Sequence, residues 1–248
     1  MPGALLCPSC AGKLPYIDLS AACPFCGAPN GWLTCTECTD SHPPGENWPP
    51  GASAEPRAAE RASPFPFSSA RAALSYDGVA RRLVSAYKDG GERRCDKLLA
   101  GLLLQTIRAQ SPQKGGESLG LAPVHDDWAA WADTLVAIPS RPEAIRSRGF
   151  DHMRRVAALV SEWSGLPLVS PLVHAHAVED QRALGAEKRM ENLSGSFSLA
   201  EGANVAYAKV LLVDDVLTTG ATVSAASEAL LFGGASEIRV AVVTRVVK

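Results

Sequence analysis

Unbroken apolar runs alternate along this chain with stretches whose apolar residues recur every three to four positions. Residues 135–138, 166–169, 210–213 and 238–247 are short runs rich in Val, Ile and Leu. Runs of that length suit strands buried on both faces of a parallel sheet. A further strand is expected over 72–76, and another starts at Phe197. Between them, Val79, Leu83, Val84 and Tyr87 mark one helical face that ends at Lys88-Asp89-Gly90-Gly91. Leu98, Leu99, Leu102, Leu103 and Ile107 mark a second face. Phe150, Met153, Val156, Val160 and Trp163 mark a third, stopped by Gly165. Residues 223–232 form the last helix and stop at Gly233-Gly234, a C-cap signal. The pattern predicts an α/β domain over 71–248.

The N-terminal third reads differently. Residues 41–70 carry Pro43, Pro44, Pro49, Pro50, Pro56, Pro64 and Pro66 among Gly, Ala and Ser, the composition of a linker. Trp48 and Phe65 are its candidates for docking onto a neighbouring surface. Residues 1–40 hold six of the seven cysteines, as Cys7/Cys10, Cys23/Cys26 and Cys35/Cys38. In a reducing compartment C-x-x-C offers two thiolates to one tetrahedral ion, so the module predicts structural zinc. Four thiolates fill one site and three pairs leave one over. Cys23, Cys26, Cys35 and Cys38 are the first choice; Cys7/Cys10 with Cys23/Cys26 is the alternative. So short a module has little apolar core, and metal would supply its folding energy.

Composition narrows the field without choosing a chemistry. At 248 residues there is room for one sizeable core plus a small module. A net charge of −2 leaves no global basic signature for nucleic acid. No apolar run matches a membrane span and no basic-then-apolar leader opens the chain, which reads as cytoplasmic, without membrane insertion.

The chemistry concentrates at 210–222, VLLVDDVLTTGAT. An apolar run reaches Asp214 and Asp215, expected to end the strand. Adjacent carboxylates there repel each other unless hydroxyls, amides or a cation answer them. Leu217, Thr218, Thr219, Gly220, Ala221 and Thr222 lead into a helix N-terminus, whose free N–H groups and dipole suit a phosphate. An acid pair beside a phosphate loop matches the vicinal hydroxyls and phosphate of a ribose 5-phosphate. Ser140, Arg141, Arg146 and Arg148 lie between a strand end and a helix start, a candidate pyrophosphate clamp. Lys88 at a helix end and the polar stretch around Gln181, Arg182, Arg189 and Asn192 are further candidates to close on a ligand. His174 and His176 alternate without partnering ligands and read as surface histidines.

The stretch 210–222 resembles the 5-phosphoribosyl 1-pyrophosphate (PRPP) motif of type I phosphoribosyltransferases. With the cysteine pairs, Tyr76-Asp77-Gly78 and Lys88, Arg148-Gly149-Phe150, and Gln181, Leu184, Arg189, Asn192 and Phe197, nearly the whole chain resembles the ComF family. The resemblance implies a Rossmann-like phosphoribosyltransferase fold behind a zinc-ribbon-like module. It implies PRPP with Mg²⁺, catalysis through Asp214, Asp215, Arg148 and Arg189, and an association with single-stranded DNA and the DNA-uptake machinery. A non-enzymatic DNA-handling protein that uses the site as a sensor or phosphate cradle is the alternative. Three departures stand out. Asp151-His152 replaces the family's Asn-Gln, His174 and His176 stand where arginines are common, and one C-x-x-C pair is missing. The last makes Cys7/Cys10 an orphan or puts the true start upstream.

Overall fold

The computed structural model describes residues 7–29, 35, 38, 63, 65–108, 127–175 and 196–247. Its centre is a five-stranded parallel sheet. The strands are β1 (Ser69–Ser75), β2 (Thr134–Ala137), β3 (Leu168–Val169), β6 (Lys209–Leu217) and β7 (Glu237–Arg245), in the order β1-β7-β6-β2-β3. Strands β4 (Leu172–His174) and β5 (Phe197–Leu199) form a separate antiparallel pair.

Alternation along β6 explains the layering. Leu211 and Val213 face one core with α2 (Gly78–Lys88), α3 (Cys95–Ile107) and α6 (His152–Ser164), while Val210 and Leu212 face a second core with α7 (Ala221–Phe232). Both faces are covered, as a sheet of uninterrupted apolar strands requires. The short helices α1 (Pro8–Ala11), α4 (Trp128–Trp131) and α5 (Pro142–Arg148) complete the described elements.

Three expectations change. β6 does not end at the acids: it continues through Leu217, because β7 keeps pace, pairing Asp214 with Val242 and Val216 with Thr244. The three arginines are not a loop before a helix. Pro142 starts α5 there and Gly149 ends it in the left-handed conformation at φ 76. The stretch read as linker stops short of residue 70, since β1 begins at Ser69, Phe67 is buried, and Phe65 stacks on Phe67 at 4.9 Å. Trp48 and the prolines between 43 and 56 lie outside the described residues.

The cysteine module docks on the edge strand β1. Ile17 N–H donates to the Ala73 carbonyl at 3.0 Å and Ser75 N–H donates to Pro15 at 2.9 Å. Gly27 sets the closeness of this docking: it sits at φ +69, and a Cβ there would lie 3.2 Å from the Ala70 carbonyl oxygen. Gly27→Ala therefore combines backbone strain with a clash against main chain, and is expected to lower stability by about 1–3 kcal/mol. A thermal melt indistinguishable from wild type would show that the module is not seated this tightly.

Candidate functional site

Strand β2 leads towards β3 on one side, and β6 leads to β7 on the other, so the chain reverses direction across the sheet between β2 and β6. Parallel sheets bind ligands at such a reversal, beyond the carboxyl ends of the strands. A cavity of about 470 Å³ opens there.

The acid pair forms one wall, and its two members differ. Asp215 continues the row of Leu211 and Val213 and is 3% exposed. Its Oδ2 accepts from His152 Nε2 at 2.8 Å and pairs with Lys88 Nζ at 2.9 Å. Burial pushes its carboxyl up, but the His152 hydrogen bond and the Lys88 charge outweigh it and hold it at about 2. Asp214, one residue along, points to the other side of the strand. Burial first, then the charge on Asp215, raises its carboxyl to about 8 although an edge stays open to the cavity. The site thus holds one carboxylate already answered and one carboxyl that keeps its proton near neutrality.

A polar chain runs on from His152. Its Nδ1 lies 2.7 Å from Ser140 Oγ and 3.2 Å from Arg148 Nη1. Asp215 is held ionised and can only accept, so Nε2 carries the proton given to it. Asp151 caps α6 by accepting the Arg154 N–H at 3.2 Å, and its carboxylate also accepts the Ser140 hydroxyl at 3.0 Å. Asp151 and His152 thus tie Ser140 and Arg148 to the acid pair. Sequence reading singled out neither residue as functional. The available signal was position: a capping Asp and a His at the first turn of a helix whose N-terminus faces the strand ends.

The loop 218–222 borders the cavity through Thr218, Ala221 and Thr222. Gly220 takes φ 84 at the N-cap of α7, a conformation open to glycine, and its carbonyl accepts the Ser224 N–H at 2.8 Å. Thr219 Oγ1 accepts the Ala221 N–H at 3.4 Å. Among the described residues, no main-chain or side-chain acceptor is bound to the N–H groups of Thr218, Thr219 or Gly220.

Of the residues singled out in the sequence, Lys88, Ser140, Arg148, Asp214 and Asp215 converge on this cavity with Thr218, Ala221 and Thr222. Arg141 also reaches it. Leu217 is instead buried at the end of the ladder, and Arg146 is drawn to Glu143 at 3.0 Å on an exposed helix face. Gln181, Arg182, Arg189, Asn192 and His176 lie outside the described residues. His174 is half-buried and partnered: it donates from Nε2 to the Pro139 carbonyl at 2.9 Å, stands 4.9 Å from the Phe197 ring, and lines the cavity.

On the far side of β1, Cys23, Cys26, Cys35 and Cys38 place four Sγ atoms within 4.8 Å of one another. Cys23 and Cys38 are 3.7 Å apart and Cys26 and Cys35 3.5 Å. A tetrahedral ion with bonds of about 2.3 Å separates its sulfurs by about 3.8 Å, so this donor set fits a metal such as zinc. Cys7 and Cys10 are exposed and outside the group.

Residues 168–246 match the family described as phosphoribosyl transferase domain. The chain is 37% identical over 95 residues to competence protein F of Haemophilus influenzae, covering 38% of this chain and 42% of that protein. It is 31% identical over 109 residues to DNA utilization protein YhgH of Escherichia coli, covering 44% and 47%. With competence protein ComFC of Streptococcus pneumoniae it shares 25% identity over 171 residues, covering 68% and 64%. It spans about half the length of the first two. Sheet, acid pair and loop together define a phosphoribosyltransferase-type α/β domain. Within that superfamily the chain is similar to the competence proteins F and ComFC.

Proposed function

We propose that the cavity binds PRPP and that the protein transfers its phosphoribosyl group, releasing pyrophosphate, in the service of DNA uptake. The observation that carries this is the acid pair standing next to a loop with free N–H groups, opposite Lys88 and Arg148. Asp214 and Asp215 would accept the two ribose hydroxyls, and the amides of 218–222 would hold the 5-phosphate. Arg148 would hold the pyrophosphate and stabilise the charge it gains as it leaves, with Arg189 as its partner. The acceptor's nucleophile attacks C1 of the ribose, the C1–O bond to pyrophosphate breaks, and pyrophosphate departs with the electron pair. Mg²⁺ prefers phosphate and water oxygens and needs few protein ligands, and the Asp214 carboxyl on the cavity wall would be its donor on giving up its proton. Zn²⁺ in the cysteine group would be structural. The link to DNA uptake comes from the relatives named for competence and DNA utilization.

Ligand entry has a built-in exchange. Lys88 pairs with Asp215, so a ribose hydroxyl arriving at that carboxylate would displace an ammonium that can then follow the pyrophosphate. Calorimetric titration with PRPP and Mg²⁺ tests the reading. Arg148→Ala is expected to weaken PRPP about 10- to 100-fold, the scale of a lost charge-assisted contact, and ribose 5-phosphate far less. Equal losses for both ligands would move Arg148 away from the pyrophosphate. Absence of PRPP binding, together with tight, salt-dependent binding of an oligonucleotide, would replace the transferase with a DNA-handling protein.

A further inference from the structure

Arg245 ends β7 and is 4% exposed. Its guanidinium bridges the two regions described above. Nε donates to the carbonyl of Cys26, a member of the four-cysteine group, at 3.2 Å. Nη1 donates to the carbonyls of Leu217 at 3.1 Å, Val246 at 2.6 Å and Thr218. One planar cation thus joins the cysteine knuckle to the first turn of the phosphate loop.

The peptide bond turns that link into a positional one. In a trans peptide the C=O and the following N–H point in opposite directions, and no described bond is cis. Holding the Leu217 and Thr218 oxygens inward on Arg245 therefore turns the N–H groups of Thr218 and Thr219 the other way, where no described residue takes them. Leu217 has a second anchor, since its carbonyl also accepts the Val246 N–H at 2.9 Å. The Thr218 peptide leans on Arg245 more heavily. A fixed positive charge behind the loop also favours an anion in front of it. The other end of the bridge depends on the knuckle: Gly27 N–H donates to the Cys23 carbonyl at 2.9 Å and Cys23 N–H to Ala28 at 2.8 Å, a turn that four unmetallated thiolates would push apart.

We propose that Arg245 is a positioning residue that makes anion binding at loop 218–222 depend on metal in the cysteine group. This rests on the phosphate-loop reading given above. The test is a four-cornered cycle: full-length protein and Arg245→Lys, each with metal bound and after chelation. Lys keeps the charge but cannot span the Cys26 and Thr218 carbonyls together. Two readouts are taken. Chelation is expected to weaken PRPP binding about 10-fold in wild type, and less than about 2-fold in Arg245→Lys, where the loss is already present. Amide exchange at Val246 and Ser224, read without ligand, should accelerate on chelation in wild type and not further in Arg245→Lys. Additive losses in the cycle, or exchange at both amides unmoved by chelation, would overturn the coupling. If metal-loaded wild type binds no PRPP, the functional reading fails and the exchange readout judges the coupling alone. If Arg245→Lys does not fold, reciprocity supplies the check on wild type: saturating PRPP must tighten retention of the metal against a competing chelator by the same factor of about 10. Metal retention indifferent to PRPP would also overturn it.

Discussion

Asp215→Asn is expected to lower the melting temperature of the ligand-free protein and abolish its response to PRPP, while Asp214→Asn leaves the ligand-free melt unchanged or raised. The Asp215 side chain is 4% exposed and answers both Lys88 and His152. Its neutralisation leaves a cation and a ring N–H facing an amide. Breaking a buried pair costs about 3–5 kcal/mol, and the one-third exposure of Lys88 returns part of that to water, so a loss of about 2–3 kcal/mol is expected. For a chain of this size that is roughly 5–10 °C. Asp214 already keeps its proton near neutrality, and Asn replaces one neutral group by another. PRPP would stabilise wild type by mass action, and both variants should lose most of that shift, Asp215→Asn having lost a carboxylate for the ribose and Asp214→Asn a carboxyl that ligand and Mg²⁺ would ionise. An Asp215→Asn protein that melts like wild type would mean the Lys88 and His152 contacts do not hold in solution. Either variant responding to PRPP like wild type would remove the ribose assignment.

The same asymmetry sets a pH dependence with two opposite slopes. Asp215 is held at about 2, below its unfolded value, so the folded protein binds fewer protons there. Its contribution is present above about pH 4 and is lost as pH falls towards 2. Asp214 is raised to about 8, so its contribution is full below about pH 4 and is lost as pH rises through 8. Melting temperature in wild type should therefore decline from pH 5 to 8, and Asp214→Asn should flatten that decline without touching the acid limb. A wild-type curve that is level over this range in the absence of ligand would remove the raised Asp214.

Metal content carries the other large effect. Cys35→Ser is expected to eliminate a stoichiometric metal ion and unfold the module, while Cys7→Ser retains it. The four clustered thiols surround one site, and a structural zinc supplies about 10–16 kcal/mol of apparent folding free energy that the few buried apolar side chains around it cannot replace. Elemental analysis with a chromogenic chelator reads the outcome. Metal lost from Cys7→Ser and kept in Cys35→Ser would reverse the choice of pairs. The parallel sheet should survive in both variants, because its two cores are built chiefly from β1, β2, β6, β7 and the helices on them.

How far the sequence reached follows from the range of the forces involved. By itself it determined the strands at 135–138 and 210–213, the helices stopped by Gly165 and Gly233, the segregation of cysteines into a separate module, and the acid pair before a glycine-containing loop. These depend on periodicity, capping and motif spacing within a few residues. The strand end at Leu217 was not legible, since β7 decides how far β6 extends. Nor was the unequal fate of the two acids: identical side chains, adjacent in sequence, acquire opposite shifts because strand alternation sends Asp215 to Lys88 and His152 and denies Asp214 any such partner. Arg245 looked unremarkable, and His152 registered only as a departure from a motif, for the same reason. Their partners lie 63 residues away for His152 and 219 residues away for Arg245. Local pattern specifies which segments become elements, but a buried charge is chosen, paired and given its proton only by the groups that folding brings within about 3 Å of it.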